Sequence, residues 1–206
     1  MIQCFCSKLE IYALTYVEEL ELYEEEFDID LNGYGEIVPE EERACTCCFT
    51  GHRVMSKSQR SEVLYRLRST ILYFVSKGVV NFRAGGALGF DTLAATMVVD
   101  LKRSDNRIKL ILDLPYEGQD ENWSDTDKRI YKFICENADV NKLFEKRPSS
   151  RQKATELLYK RNRALVDNSD YCVCYLKKKG RSGTAYTVDY AKRLDREIIN
   201  LYSEEE

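Results

Sequence analysis

No stretch of the 206-residue sequence approaches the roughly 18 consecutive apolar residues of a membrane-spanning helix, which excludes such a span and any membrane partner that needs one. The amino terminus, Met1-Ile2-Gln3-Cys4-Phe5-Cys6-Ser7-Lys8, lacks the charged-then-apolar order of a signal peptide, so the expected location is cytoplasmic. Repeats and low-complexity tracts are absent. Histidine and tryptophan occur once each, as His52 and Trp123. The eight cysteines lack the spacing of a disulfide framework, and the chain is long enough to bury a core without one. Cys45, Cys47, Cys48, Cys172 and Cys174 lie in apolar strand-like runs and read as small buried hydrophobes. A zinc grouping of Cys4 and Cys6 with Cys45 and Cys47 has C-x-C rather than knuckle spacing, so no metal is expected.

With 44% hydrophobic and 32% charged residues, the chain suits one globular domain with an appendage. The net charge of -4 hides a division. Residues 1–44 carry two basic and thirteen acidic residues, a net of -11, and residues 45–206 carry 29 basic and 22 acidic, a net of +7. The expected domains are therefore an acidic appendage at 1–44 and a cationic body at 45–206. A cationic body suits an anionic ligand, although solvated basic faces give the same balance.

The body is organised around Asn81-Phe82-Arg83-Ala84-Gly85-Gly86-Ala87-Leu88-Gly89-Phe90-Asp91, a strand that enters a glycine turn and then a helix. Without Cβ atoms at Gly85, Gly86 and Gly89 the backbone can approach a phosphate, and the first helical amides point at it. The alternative is a tight turn that lets helix pack closely on sheet. Asp91 either complements the helix dipole or reaches a ribose hydroxyl.

The other elements alternate around this one. Cys45 to Thr50 predicts a first strand delivering Gly51-His52-Arg53, and Ser58 to Lys77 an amphipathic helix closed by Gly78. Arg107 to Leu114 predicts a strand followed by a polar loop with Gln119 and Trp123, then a helix from Ser124 to Asn137. Asp139 to Phe144 predicts a short strand, Arg151 to Asn168 a helix and Tyr171 to Leu176 a further strand. This last strand runs into Lys177-Lys178-Lys179-Gly180-Arg181-Ser182-Gly183-Thr184, a second glycine turn whose Thr184 either caps the next helix or bonds a phosphate. A last strand follows at Ile198 to Tyr202. Such alternation implies a Rossmann-like three-layer α/β fold, a mostly parallel central sheet flanked by helices.

In this order Cys48-Phe49-Thr50-Gly51-His52-Arg53, Gly85-Gly86-Ala87-Leu88-Gly89-Phe90-Asp91, the Gln119 and Trp123 loop, Tyr159-Lys160-Arg161-Asn162 and Gly183-Thr184 resemble the YpsA-like branch of the SLOG superfamily over about residues 45–202. The resemblance implies a Rossmann-like domain of bacterial type, related to the DprA DNA-processing proteins and the Lonely Guy phosphoribohydrolases, with a pocket for a nucleotide-derived ligand. It implies two glycine motifs, at Gly85, Gly86, Gly89 and Asp91 and at Gly183 and Thr184, the second departing from the family's paired glycine by having Ser182. The glutamate of the Lonely Guy enzymes corresponds to Thr187, and their Arg-Lys pair to Arg161-Asn162. A threonine supplies neither the carboxylate's charge nor a base near neutral pH, and Asp91 or Asp189 would have to stand in.

Three functions are therefore in view. The first is binding or sensing of a nucleotide-like small molecule by Gly51, His52, Arg53, Gly85, Gly86, Gly89, Asp91, Gln119, Trp123, Arg161, Asn162, Gly183 and Thr184, with no cofactor required. The second is an N-glycosidic hydrolase or transferase with His52, Asp91 and Arg161 as candidate catalytic residues. The third is a single-stranded DNA binder of DprA type. Self-association into a homo-oligomer is compatible with each.

Overall fold

The computed structural model describes residues 37–177 and 181–203. The chain divides between Gly33 and Tyr34. The acidic appendage was expected to run to residue 44, yet residues 38–43 are stitched to the body. Val38 N–H donates to Asn168 Oδ1 (2.7 Å), Arg43 Nε donates to Asp170 Oδ1 (2.5 Å), and between them Glu40–Arg43 forms a short helix, α1. The charge change at residue 44 marks a shift in composition, whereas packing puts the division about ten residues earlier.

Six strands, β1 (Thr46–Gly51), β2 (Asn81–Ala84), β3 (Lys109–Leu114), β4 (Val140–Leu143), β5 (Tyr171–Tyr175) and β6 (Glu197–Asn200), form one parallel sheet in the order β4-β3-β2-β1-β5-β6. The connecting helices are α2 (Lys57–Ser76), α3 (Phe90–Lys102), α4 (Asp125–Asn137), α5 (Arg151–Asp167) and α6 (Gly183–Arg193). This is the Rossmann-like three-layer arrangement expected from the alternation. Four of the helices start on the same local device. Ser56, Ser124, Ser150 and Ser182 sit in extended backbone and accept the amide three residues on, which satisfies one of the otherwise unpaired first-turn donors. The last of these corrects one expectation: Ser182, not Thr184, caps α6, because the helix begins at Gly183.

Handedness then distributes the helices. Right-handed crossovers through β1, β2, β3 and β4 put α2, α3 and α4 on one face. The return from β4 to β5 reverses direction and so puts α5 and α6 on the other. Strand residues alternate to match. Cys47, Phe49, Phe82, Leu110, Leu112 and Val173 join the larger core with Val63, Leu67, Ile71 and Phe74 of α2, while Cys48, Cys172 and Cys174 meet Leu165, Val166 and Val188 on the α5–α6 side. Cys47, Cys48, Cys172 and Cys174 are the buried hydrophobes expected, whereas Cys45 precedes β1 and is only half-buried. Burial pushes the Cys174 thiol up to about 12 and the Cys47 thiol well above its ordinary range, so neither is a nucleophile at neutral pH. Cys4 and Cys6 of the zinc grouping lie outside the described residues.

One charged pair is set in the sheet itself. Arg83 on β2 donates Nε to Asp113 Oδ2 (2.9 Å) and Nη2 to Oδ1 (2.8 Å), and their side chains are 1% and 0% exposed. The fork-to-carboxylate geometry satisfies both charges and ties β2 to β3 on the α5 side. Asp113→Asn strips the charge from Arg83's partner and should destabilise the fold by about 3–5 kcal/mol in urea unfolding, with Arg83→Met plus Asp113→Leu recovering most of it. An unchanged midpoint in the single variant would show that the pair contributes nothing.

Candidate functional site

The order of the sheet reverses between β1 and β5, so the loops leaving these two strands part to opposite faces and open a crevice at their carboxyl ends. The loop after β2 lies on the other side of β1. The two glycine turns therefore flank Gly51-His52-Arg53 rather than touching each other. The backbone of His52 links the three ends, its N–H donating to Tyr175 O (3.1 Å) and its carbonyl accepting from Phe90 N (3.3 Å).

Phe90 sets where α3 begins. Its ring is fully buried, stacked on Tyr175 (5.9 Å between centroids) and edge-on to Phe49 (6.5 Å). With Phe90 anchored, the preceding residue must turn sharply. Gly89 does so at φ 86°, and a Cβ there would lie 2.4 Å from the carbonyl oxygen of Arg53, so only glycine fits. The following residue, Asp91, is turned inward and 4% exposed, its carboxylate accepting from Gly85 N at 3.2 Å. Burial, opposed by Arg161 and the amides of Ala87 and Gly85, lifts its pKa above the ordinary carboxylate value. A ribose hydroxyl would have to displace these bonds to reach it.

Arg161 of α5 completes this cluster. Its Nη1 is 3.6 Å from Asp91 Oδ2 and its side chain is almost wholly buried. A Cβ on Gly85 would fall 1.3 Å from the same Nη1, so the glycine makes room for a guanidinium. Burial lowers the Arg161 pKa against the pull of Asp91 and Asp113, and its Nε and Nη1 have no hydrogen-bond partner among the described residues. Gly86 abuts Leu114, Tyr131 and Gln119. Gln119 donates to the Tyr131 hydroxyl (3.0 Å), and Trp123 stands edge-on to the same ring at 5.3 Å. Trp123 is thus a half-buried neighbour of Tyr131, the other reading of its loop position being a stack on a ligand base.

The next residue on α5 serves the other turn. Asn162 Nδ2 donates to Gly183 O (3.4 Å), and that carbonyl also accepts from Thr187 Oγ1 (2.7 Å). Thr187 is fully buried, its hydroxyl spent on its own helix. Thr184 lies in the first turn of α6 and is 8% exposed. Residues 178–180 of the basic run lie outside the described residues. Asp189, the other candidate carboxylate, is half-buried beside Lys192 at 3.5 Å, on the far side of α6's second turn.

The two turns differ in what remains open. In the first, Gly85 N is taken by Asp91, Phe90 N by His52 O and Thr92 N by Ala87 O. At the second, Ser182 takes the amide of Ala185, and those of Gly183 and Thr184 precede the first intrahelical bond. Sequence reasoning missed Tyr131, Arg83 and Asp113 around this site. Arg83 and Asp113 carried a signal, a charge inside an apolar strand, whereas nothing in its spacing marks Tyr131.

A sequence model of the YspA SLOG family matches residues 48–202, which include both turns. The chain belongs to the YspA SLOG family. The SPbeta prophage-derived protein YoqJ of Bacillus subtilis (strain 168), described as uncharacterized, is 35% identical over 147 residues, 65% of this chain and 85% of that protein. A UPF0398 protein of Bacillus cereus (strain B4264) is 27% identical over 137 residues, 66% of this chain and 72% of its own. Among solved structures, DNA processing protein A (DprA) of Streptococcus pneumoniae aligns with a TM-score of 0.51 at 20% identity, over 74% of this chain and 48% of that one. DprA of Helicobacter pylori, whose single-stranded DNA binding mode is the subject of its structure, gives 0.51 at 14% identity over 77% and 65%. The SLOG chain thus spans about half of one DprA chain and under two thirds of the other, and these likenesses show a shared fold.

Having one histidine makes the SLOG site readable by NMR. Burial, and then Lys177, lower the His52 pKa below 6.5. The imidazole should titrate below 6.5, and Lys177→Ala should raise the midpoint part of the way back, since burial remains. Protonation also favours the unfolded chain, so this group's contribution to stability is lost as pH falls from 6.5 through the folded value. A His52 midpoint at or above 6.5 would contradict the placement.

Proposed function

We propose that the protein binds a nucleotide or nucleotide-derived small molecule in the crevice at the carboxyl ends of β1 and β5, with its phosphate at the first turn of α6. The observation that carries this reading is Arg161, whose buried Nε and Nη1 have no hydrogen-bond partner among the described residues, next on α5 to the Asn162 that bonds a turn whose leading amides, those of Gly183 and Thr184, precede the first intrahelical bond. A phosphate oxygen is the acceptor such a group of donors suits. Asn162 orients the turn through Gly183 O, and Arg161 beneath it adds positive charge to the crevice. The first glycine turn has a different role in this reading. Asp91 takes its Gly85 and Ala87 amides, so in this reading the turn shapes the wall of the pocket and positions Arg161 instead of gripping phosphate.

Binding fits the site better than glycosidic hydrolysis. The position of the Lonely Guy glutamate holds Thr187, whose hydroxyl already donates to Gly183 O, and Asp91 is enclosed by Gly85 and Arg161.

Thermal-shift and calorimetric titration with nucleoside monophosphates, nucleotide sugars and ADP-ribose should reveal at least one stabilising ligand. Thr184→Val, which keeps the shape and removes the donor, should weaken it about tenfold. Stabilisation by none of these compounds at millimolar concentration, with the protein folded, would overturn the reading.

The net charge of +7 over residues 45–206 and the DprA-like fold favour a second reading, single-stranded DNA as the anionic guest. Anisotropy of a labelled oligothymidylate should then rise at low salt and fall steeply as salt is added. No change at low salt excludes it.

A further inference from the structure

We infer that a second cavity, outside the β1–β5 crevice, is a binding site for a small amphipathic anion, an organic molecule with an apolar body and one carboxylate or phosphate end. The cavity of about 550 Å³ lies between the loop after β1, the outer side of α3 and the first turns of α4. That volume is within the range of small-molecule sites. Its apolar lining comes from Leu88 in the turn before α3, Leu93 on α3, and Ile130 and Phe133 on α4. Three arginines, Arg53, Arg60 and Arg129, stand around it.

The state of these arginines points to an anion. Elsewhere on the body Arg43, Arg68, Arg83 and Arg107 each hold an aspartate within 3.3 Å. Arg53, Arg60 and Arg129 form no ion pair among the described residues, and Arg129 has only the Thr126 hydroxyl at 3.3 Å. The one carboxylate lining the cavity, Asp127, accepts from Ser124 Oγ at 2.6 Å in the cap of α4. Three unpaired guanidinium groups over apolar walls bind an acidic head by charge-assisted hydrogen bonds and a hydrocarbon or aromatic body by burial. Arg161, Asn162, Gly183 and Thr184 do not line this cavity, so the inference stands apart from the α6 site.

The test is a fluorescence titration of the full chain with 1-anilinonaphthalene-8-sulfonate, itself an aromatic body with one acidic group. Binding should saturate at one probe per chain. The double variant Arg60→Gln/Arg129→Gln changes only exposed side chains outside the crevice, and it should raise the dissociation constant about tenfold with an unchanged circular dichroism spectrum. Thr96→Phe, which fills the cavity from α3, should abolish binding. Octanoate or octyl phosphate should displace the probe, and whichever competes better identifies the head group, while octanol should compete about tenfold more weakly. Non-saturating fluorescence, unaltered affinity in the arginine variant, or octanol competing as well as both anions would each overturn the inference.

Discussion

The carboxylate of Asp91 is the constraint on which the site depends. Buried at the start of α3, it takes the amide that a glycine turn leaves unpaired and stands opposite the guanidinium of Arg161. An isolated carboxylate at that depth would be costly, and so would an isolated guanidinium, which is why each is found where the other is. The pairing holds α5 against the turn after β2. Because Asn162 is the next residue on α5, the same pairing presents Asn162 to the turn after β5. A single helix thereby sets the relation between two loops that leave strands on either side of β1.

This gives two similar turns unlike tasks. Both follow a parallel strand and both open a helix, and in a protein without Asp91 both would offer free amides. Here one has its Gly85 and Ala87 amides taken by its own acidic side chain, with Gly85 giving way to a guanidinium and Gly89 to the backbone of Arg53. The other is capped by Ser182 and keeps its leading donors. The Thr187 hydroxyl belongs to the same logic. Turned back onto Gly183 O, it braces the open turn.

Charge placement continues outward from that centre. Arg83 and Asp113 neutralise each other within the sheet, and Asp113 in turn contributes to the field at Arg161, so the interior beneath the crevice is nearly balanced. The unbalanced positive charge lies outside, on the loop after β1 and the starts of α2 and α4. Arg53 belongs to both regions. Its charge is felt by Asp91 and Arg161, while its side chain lines the cavity on the other side of α3.

The sequence by itself determined the elements and their order, because these rest on short-range physics. The helical spacing of Val63, Leu67, Ile71 and Phe74, the apolar run at Tyr171 to Tyr175 and the glycine turns each read correctly to within a few residues, and alternation alone implies a parallel sheet. The residue sets of both turns and the Arg161-Asn162 pair were likewise legible as motifs. Tertiary structure decided what those residues do. Whether Asp91 faces outward or folds back onto Gly85 depends on Phe90 being seated between Phe49 and Tyr175, and whether Arg161 meets a phosphate or Asp91 depends on α5 crossing the sheet. Those contacts join residues 41 to 85 positions apart, and local propensity carries no information about distances of that kind. The boundary near residue 33 was hidden for the same reason, since hydrogen bonds from Val38 and Arg43 to residues 168 and 170 leave no mark in composition.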